Sequence, residues 1–203
     1  MEHLTQEEKS FLKKLDTPIA LQNFLDSIPF NHEEKGETCM SPRRVMREKK
    51  AHCLEGAMFA YTVLLLQKRK PLLVNLKVSP TDYDHVITLY KEHGYWGAIS
   101  KTNHVVLGFR DPVYRTVREL VMSYFHEYFL IKTGEKTLLG YSRPFSMSRF
   151  GTAWETEEKD LWTIAEAIYD MKCFPTIPKG NEKYLRIATK LERKSADIEA
   201  WEK

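Results

Sequence analysis

At 203 residues, with 42% hydrophobic, 12% aromatic and 29% charged side chains, the chain has the make-up of one globular domain with small extensions, which excludes a disordered, fibrous or collagen-like polypeptide. A net charge of +3 is too small to imply nucleic acid by itself, and three cysteines at unrelated spacings, Cys39, Cys53 and Cys173, make neither a CxxC pair nor a disulfide framework. The longest apolar run, Ala57 to Leu66, is too short to span a bilayer, and the acidic N-terminal residues lack a secretory apolar segment, so no membrane partner and a reducing cytoplasmic setting are expected.

Thr5 with Glu8 three residues on has the pattern of a capping box and predicts a short helix with Phe11, Leu12 and Leu15 on its apolar side. Thr17-Pro18 opens a second helix, in which Ile19, Leu21, Phe24, Leu25 and Ile28 recur at helical spacing until Pro29 ends the pattern. Residues 31–40, polar and without periodicity, predict a loop. Ser41 as cap and Pro42 at the first helical position predict a third helix, from Pro42 to about Lys49. Arg43, Arg44, Arg47, Lys49 and Lys50 there could grip phosphates. With no aromatic residues interleaved for stacking, the cluster reads instead as a solvated face that adds positive charge upstream of Cys53.

From Leu54 to Gln67 the chain is apolar nearly all round, which predicts a buried helix. Lys68-Arg69-Lys70 and Pro71 end it, so it starts near Cys53. A thiol in a first helical turn feels the positive end of the helix dipole, which favours the nucleophilic thiolate; an inert buried cysteine is the plainer reading of the same residue. Glu55 reads as a favourable first-turn carboxylate.

Leu72 to Val78 alternates as a strand, His85 to Lys91 predicts a second and Trp96 to Ser100 a third, the last two joined as a hairpin through Glu92-His93-Gly94-Tyr95. A fourth strand is expected at Val105 to Phe109, followed by a turn at Asp111-Pro112. Thr116 with Glu119 opens a long helix whose apolar positions run from Val117 to Ile131, with Gly134 closing it. Thr137 to Tyr141 is expected to pair briefly, Glu157 to Met171 to be a helix, Pro175, Pro178 and Gly180 to mark a linker, and Asn181 to Trp201 to form a last surface helix.

A cysteine at a helix start followed by a strand that begins with histidine is the order a Cys-His acyl-transfer site needs. Cys53-Leu54-Glu55-Gly56-Ala57, His85-Val86-Ile87-Thr88-Leu89-Tyr90 and Gly94-Tyr95-Trp96-Gly97-Ala98-Ile99 resemble the three core blocks of the transglutaminase-like, papain-related superfamily, and in particular uncharacterised bacterial proteins described as transglutaminase-like. The resemblance covers roughly residues 42–128. It implies an α+β, papain/transglutaminase-like core, an antiparallel sheet packed on a central Cys-bearing helix. Residues 1–40 would be a helical brace, 41–131 the core, and 132–203 a mainly helical extension packed on it as a single domain. The implied activity is thiol-dependent acyl transfer or hydrolysis of an amide or ester bond in a peptide, protein or small molecule. Cys53 would be the nucleophile and His85 the base, with a first-turn N–H helping to hold the oxyanion.

Such proteins usually carry an Asp shortly after the Trp of the third strand, and here that position is Ser100. Asn103 is chosen as the third member because its amide carbonyl can accept from an imidazole N–H, with Ser100 as the alternative. A second reading is that the triad has decayed and the fold is a catalytically inactive binding module. His52 and His104 read as structural or exposed, with His52 expected to face away from the thiol. No cofactor or metal is expected, since the sequence has no HExxH, no paired carboxylates at glycosidase spacing, no ligand cluster and no phosphate-binding glycine loop.

Overall fold

The computed structural model describes residues 3–198. Its frame is a six-stranded antiparallel sheet in the order β4-β3-β2-β1-β5-β6. The strands are β1 (Leu72–Val78), β2 (His85–Glu92), β3 (Tyr95–Ile99), β4 (Arg110–Tyr114), β5 (Leu138–Ser142) and β6 (Cys173–Pro175). With seven α-helices around the sheet among the described residues, the fold is of the α+β class. Among the described residues no helix is long and apolar enough to cross a membrane.

The N-terminal helices follow their sequence signals. Thr5 and Glu8 form a reciprocal capping box on α1 (Gln6–Lys13), Thr17 caps α2 (Pro18–Ser27), and Ser41 caps α3 (Pro42–Glu48). All three pack on α4 (Cys53–Leu66) in one apolar cluster that includes Leu12, Leu21, Leu25, Val45, Phe59 and Val63. Every residue of α4 from Leu54 to Leu64 is buried.

The sheet separates two further cores. On one side Leu73 and Val86 meet Leu54, Met58 and Tyr61 of α4, with Ile164, Ala165 and Ile168 of α6 (Trp162–Tyr169) closing that layer. On the other side Val74, Leu76, Ile87, Leu89 and Ala98 pack against Leu120, Val121 and Tyr124 of α5 (Val117–Phe125). Both faces of β1 and β2 are therefore covered, which is why these strands are buried along most of their length, Asn75, His85 and Thr88 included. The β2-β3 hairpin turns at His93 and Gly94, both at positive φ as a two-residue hairpin loop demands, and its register sets Thr88 opposite Ile99.

Several expected elements fall elsewhere. Residues 105–107 make one turn of 3-10 helix instead of a strand, and the fourth strand is Arg110–Tyr114, across the expected turn. It lies at the sheet edge, where the missing N–H of Pro112 is tolerated. The helix expected to reach Ile131 stops at Phe125, because the chain folds back: Tyr128 C=O accepts Thr137 N–H at 3.1 Å, and Gly134, at φ +80°, makes the turn.

Helix α6 begins at Trp162, since the stretch before it is held by the loop ahead of α3: Cys39 N–H donates to Asp160 Oδ1 and Leu161 N–H to Cys39 C=O. The expected linker starts with the edge strand β6. The last helix, α7 (Lys190–Ala196), starts only at the Thr189–Glu192 capping box, and its expected end at Trp201 lies outside the described residues. Two strands of the sheet, β5 and β6, lie beyond residue 131.

Candidate active site

Cys53 occupies the first position of α4, with His52 as its N-cap, so its own N–H has no acceptor within the helix. The His52–Glu55 capping box starts the helix there, and Gly56 in its first turn sits against the chain that leaves β3. A Cβ on Gly56 would lie 2.3 Å from Lys101 Cβ, so a side chain at 56 would push the two segments apart. Lys101 is itself buried and donates to the carbonyls of Leu25 (2.8 Å) and Ile28 (2.6 Å) at the end of α2, where a cation is favoured; burial pulls its pKa down to about 8.

The ring of His85, at the start of β2, hydrogen-bonds through Nε2 to Ser100 Oγ at 2.7 Å. Ser100 Oγ also donates to Leu107 C=O at 2.7 Å. The hydroxyl has one proton and spends it on the carbonyl, so it accepts from the ring: Nε2 carries the hydrogen and Nδ1 is the basic nitrogen. The expectation that Asn103 makes this contact is thus corrected. Asn103 lines the cleft half-buried and makes no hydrogen bond to the ring. The hairpin register carries Ser100, one residue past the end of β3, to the imidazole, and the 3-10 turn that replaces the expected strand brings Leu107 C=O to its hydroxyl.

Three supports had no clear sequence signal. Gln22 of α2 is buried and clamps the backbone of Ser100, accepting its N–H at 3.0 Å and donating to its C=O at 2.8 Å. Asp84 accepts Val78 N–H, Asn75 Nδ2 and Lys77 Nζ at 2.9–3.0 Å, fixing the chain just ahead of His85, and its C=O lies 3.9 Å from Cys53 Sγ. Glu55 is fully buried and takes Thr38 Oγ1–H, Met40 N–H, Asn31 Nδ2 and His52 N–H, which ties the polar loop 31–40 to the start of α4.

His52 is not turned away from the thiol. His52, Cys53 and His85 line the same cleft, and both imidazoles act on the thiol. Burial alone would raise the thiol pKa, but these two imidazoles and their charge overcome it and hold the thiol down to about 5. Burial likewise opposes charge on His52, yet the Cys53 thiolate, Glu55 and Thr38 C=O lift it to about 9. The other cysteines behave differently: burial pushes Cys39 up to about 12 and raises Cys173 as well.

Cys53, His52 and His85 open onto a cleft of about 660 Å³, within the size range of small-molecule and peptide sites. Tyr83, Tyr128, Phe129, Trp162 and Tyr169 supply aromatic walls. Ala196 of α7 closes one end, its C=O 3.3 Å from His104 Nδ1. Among the described residues no group of three or more His, Cys, Asp or Glu side chains is placed to hold a metal ion.

Compared with known proteins, the chain matches no protein-family model and no curated sequence.

The basic helix α3 is engaged elsewhere. Arg43 is paired with Glu8 at 2.6 Å, Arg44 with Asp160 at 2.7 Å, and Arg47 with Glu158 at 2.9 Å, so its arginines bind the helix to its neighbours.

Proposed function

We propose that the chain is a cysteine hydrolase or acyltransferase with a transglutaminase-like, papain-related core, acting on an amide or ester bond of a peptide, protein or small molecule. The observation that carries this reading is the placement of Cys53, at the positive end of a buried helix and on the same cleft as an imidazole whose far nitrogen is fixed by Ser100. The resemblance of the three sequence blocks supports it.

In this reading the Cys53 thiolate attacks the carbonyl carbon and a C–S bond forms. The carbonyl π electrons move to oxygen, beside the free N–H of Cys53. Collapse of that intermediate breaks the C–N or C–O bond, and the leaving group takes the proton the thiol had given up to an imidazole. Water or an amine then attacks the thioester while His85 Nδ1 takes its proton, and loss of the C–S bond restores the thiolate. One observation favours the alternative of a binding module: Ser100 is neutral, so the carboxylate that would stabilise a His85 imidazolium is missing from that position.

Brief exposure to p-nitrophenyl acetate near pH 6.5, followed by intact and peptide mass spectrometry, separates the two. The expected result is one acetyl group on Cys53, absent in Cys53→Ser and slow to leave in His85→Asn. Acetylation confined to lysines, with Cys53 untouched, would leave the binding module.

A further inference from the structure

We propose that His52, paired with the buried carboxylate of Glu55, is the group that holds the proton of the resting Cys53 thiol, while His85 stays neutral. This rests on the reading of Cys53 as the nucleophile and assigns the two imidazoles beside it different tasks.

The argument starts from Glu55, which has no exposure to solvent. A buried carboxylate is costly unless a cation or strong donors compensate it. Among the described residues, the basic side chain paired with Glu55 is His52, whose Nε2 stands 3.3 Å from Glu55 Oε1. The same Nε2 lies 3.0 Å from Thr38 C=O and 3.9 Å from Glu33 Oε1. Three acceptors around one nitrogen make Nε2 a donor in every protonation state and leave Nδ1 as the nitrogen that can take another proton. His85 has no such surroundings: its fixed nitrogen faces the hydroxyl of Ser100, which carries no charge. The carboxylate missing behind His85 stands behind His52 instead.

The proton step is simple. The Cys53 S–H bond breaks, its electron pair stays on sulfur, and Nδ1–H forms on His52, giving a thiolate beside an imidazolium. Protonation there costs the long 3.3 Å cap bond from Leu54 N–H to Nδ1. Against that stand the attraction of the new thiolate and the field of Glu55. The other groups facing the pair contribute little opposing charge. Asp84 is paired with Lys77, and Tyr128, Tyr169 and Cys39 are all raised and so remain neutral below their displaced pKa values. His85, aligned by Ser100, takes the proton of the attacking water or amine when the thioester opens, and that proton then passes by way of the Cys53 sulfur to His52 Nδ1, which restores the resting pair.

The test is the pH dependence of Cys53 alkylation by iodoacetamide, read by peptide mass spectrometry in the unaltered protein, His52→Asn and His85→Asn. Asn is a good N-cap, so the first variant keeps the start of α4. The expected result is an inflection near the low value in the unaltered protein, raised by about two pH units or more in His52→Asn and by less than about one in His85→Asn. A shift in His85→Asn as large as that in His52→Asn, or none in His52→Asn, overturns the assignment while leaving Cys53 as nucleophile. An ordinary inflection near that of a free thiol in the unaltered protein overturns both. Imidazole ¹⁵N resonances of the unaltered protein give a reading without mutation: His52 should carry hydrogens on both nitrogens at pH 7 and His85 only on Nε2. A neutral His52 at that pH overturns the assignment.

Discussion

Ser100 Oγ stands 2.7 Å from His85 Nε2 and 2.7 Å from Leu107 C=O, so one hydroxyl fixes both the orientation and the tautomer of the imidazole. Ser100→Ala leaves a buried ring N–H and a carbonyl without partners, which should lower stability by about 1–3 kcal/mol. With the ring no longer held, acyl turnover should fall roughly 10- to 100-fold, less than the ~10⁴ lost where a charged orienter is disabled. Ser100→Asp should also lower the melting temperature, because a carboxylate cannot donate to Leu107 C=O. Thermal unfolding checks both variants, and the rate of acyl turnover checks Ser100→Ala.

Gln22 connects the N-terminal helices to the site through its two hydrogen bonds to the Ser100 backbone. Gln22→Ala removes both and opens a small cavity, for a cost of roughly 2–4 kcal/mol. Amide hydrogen exchange at Ser100 should accelerate in this variant relative to Leu89 in the middle of β2. Unchanged protection at Ser100 would show that the clamp contributes nothing.

Gly56 is a helix-interior glycine, where alanine ordinarily gains about 0.8–1 kcal/mol. Here the new Cβ would meet Lys101 Cβ at 2.3 Å. Forcing those segments apart costs typically about 1–3 kcal/mol, more than the propensity gain, so Gly56→Ala should be destabilising in denaturant titration. A higher midpoint with an unchanged slope would contradict the close approach.

The arginines of α3 are engaged with Glu8, Asp160 and Glu158. Heparin and duplex DNA should therefore retain the protein weakly, without the steep salt dependence that phosphate neutralisation produces. Tight retention that is lost when Arg43, Arg44 and Arg47 are replaced would make the helix a nucleic-acid surface after all.

The parts of the fold legible in the sequence are those whose signals are local: the caps at Thr5, Thr17 and Ser41, the start of α4 at Cys53, and the His93-Gly94 hairpin. Elements decided by distant pairing were not. The Val105-Val106-Leu107 run has the composition of a strand, but it turns so that Leu107 C=O meets Ser100, and α5 ends where Tyr128 pairs with Thr137. At the site, Cys53 and His85 were visible as residues at the starts of elements. The sequence points to Asn103 because it lies where the strand ends and its amide carbonyl can accept from an imidazole N–H; the hairpin register and the hydroxyl's second bond to Leu107 decide for Ser100 instead. The roles of His52, Gln22 and Asp84 depend on contacts across the fold that no spacing encodes.

The most direct test of Cys53 as an activated nucleophile is its rate of alkylation relative to Cys173 across the range from pH 5 to 9. With its pKa held to about 5, Cys53 is mostly thiolate at pH 6. An ordinary thiol is then ionised to well under about 1%. A low-pKa thiolate is also intrinsically slower, by roughly 50-fold for such a shift. The account therefore predicts that at pH 6 Cys53 reacts about tenfold faster than Cys173, with a rate nearly flat above that pH, and that its lead disappears between about pH 7 and 8 and is reversed by pH 9. A Cys53 rate that climbs about tenfold per pH unit up to pH 8, in step with Cys173, would contradict it.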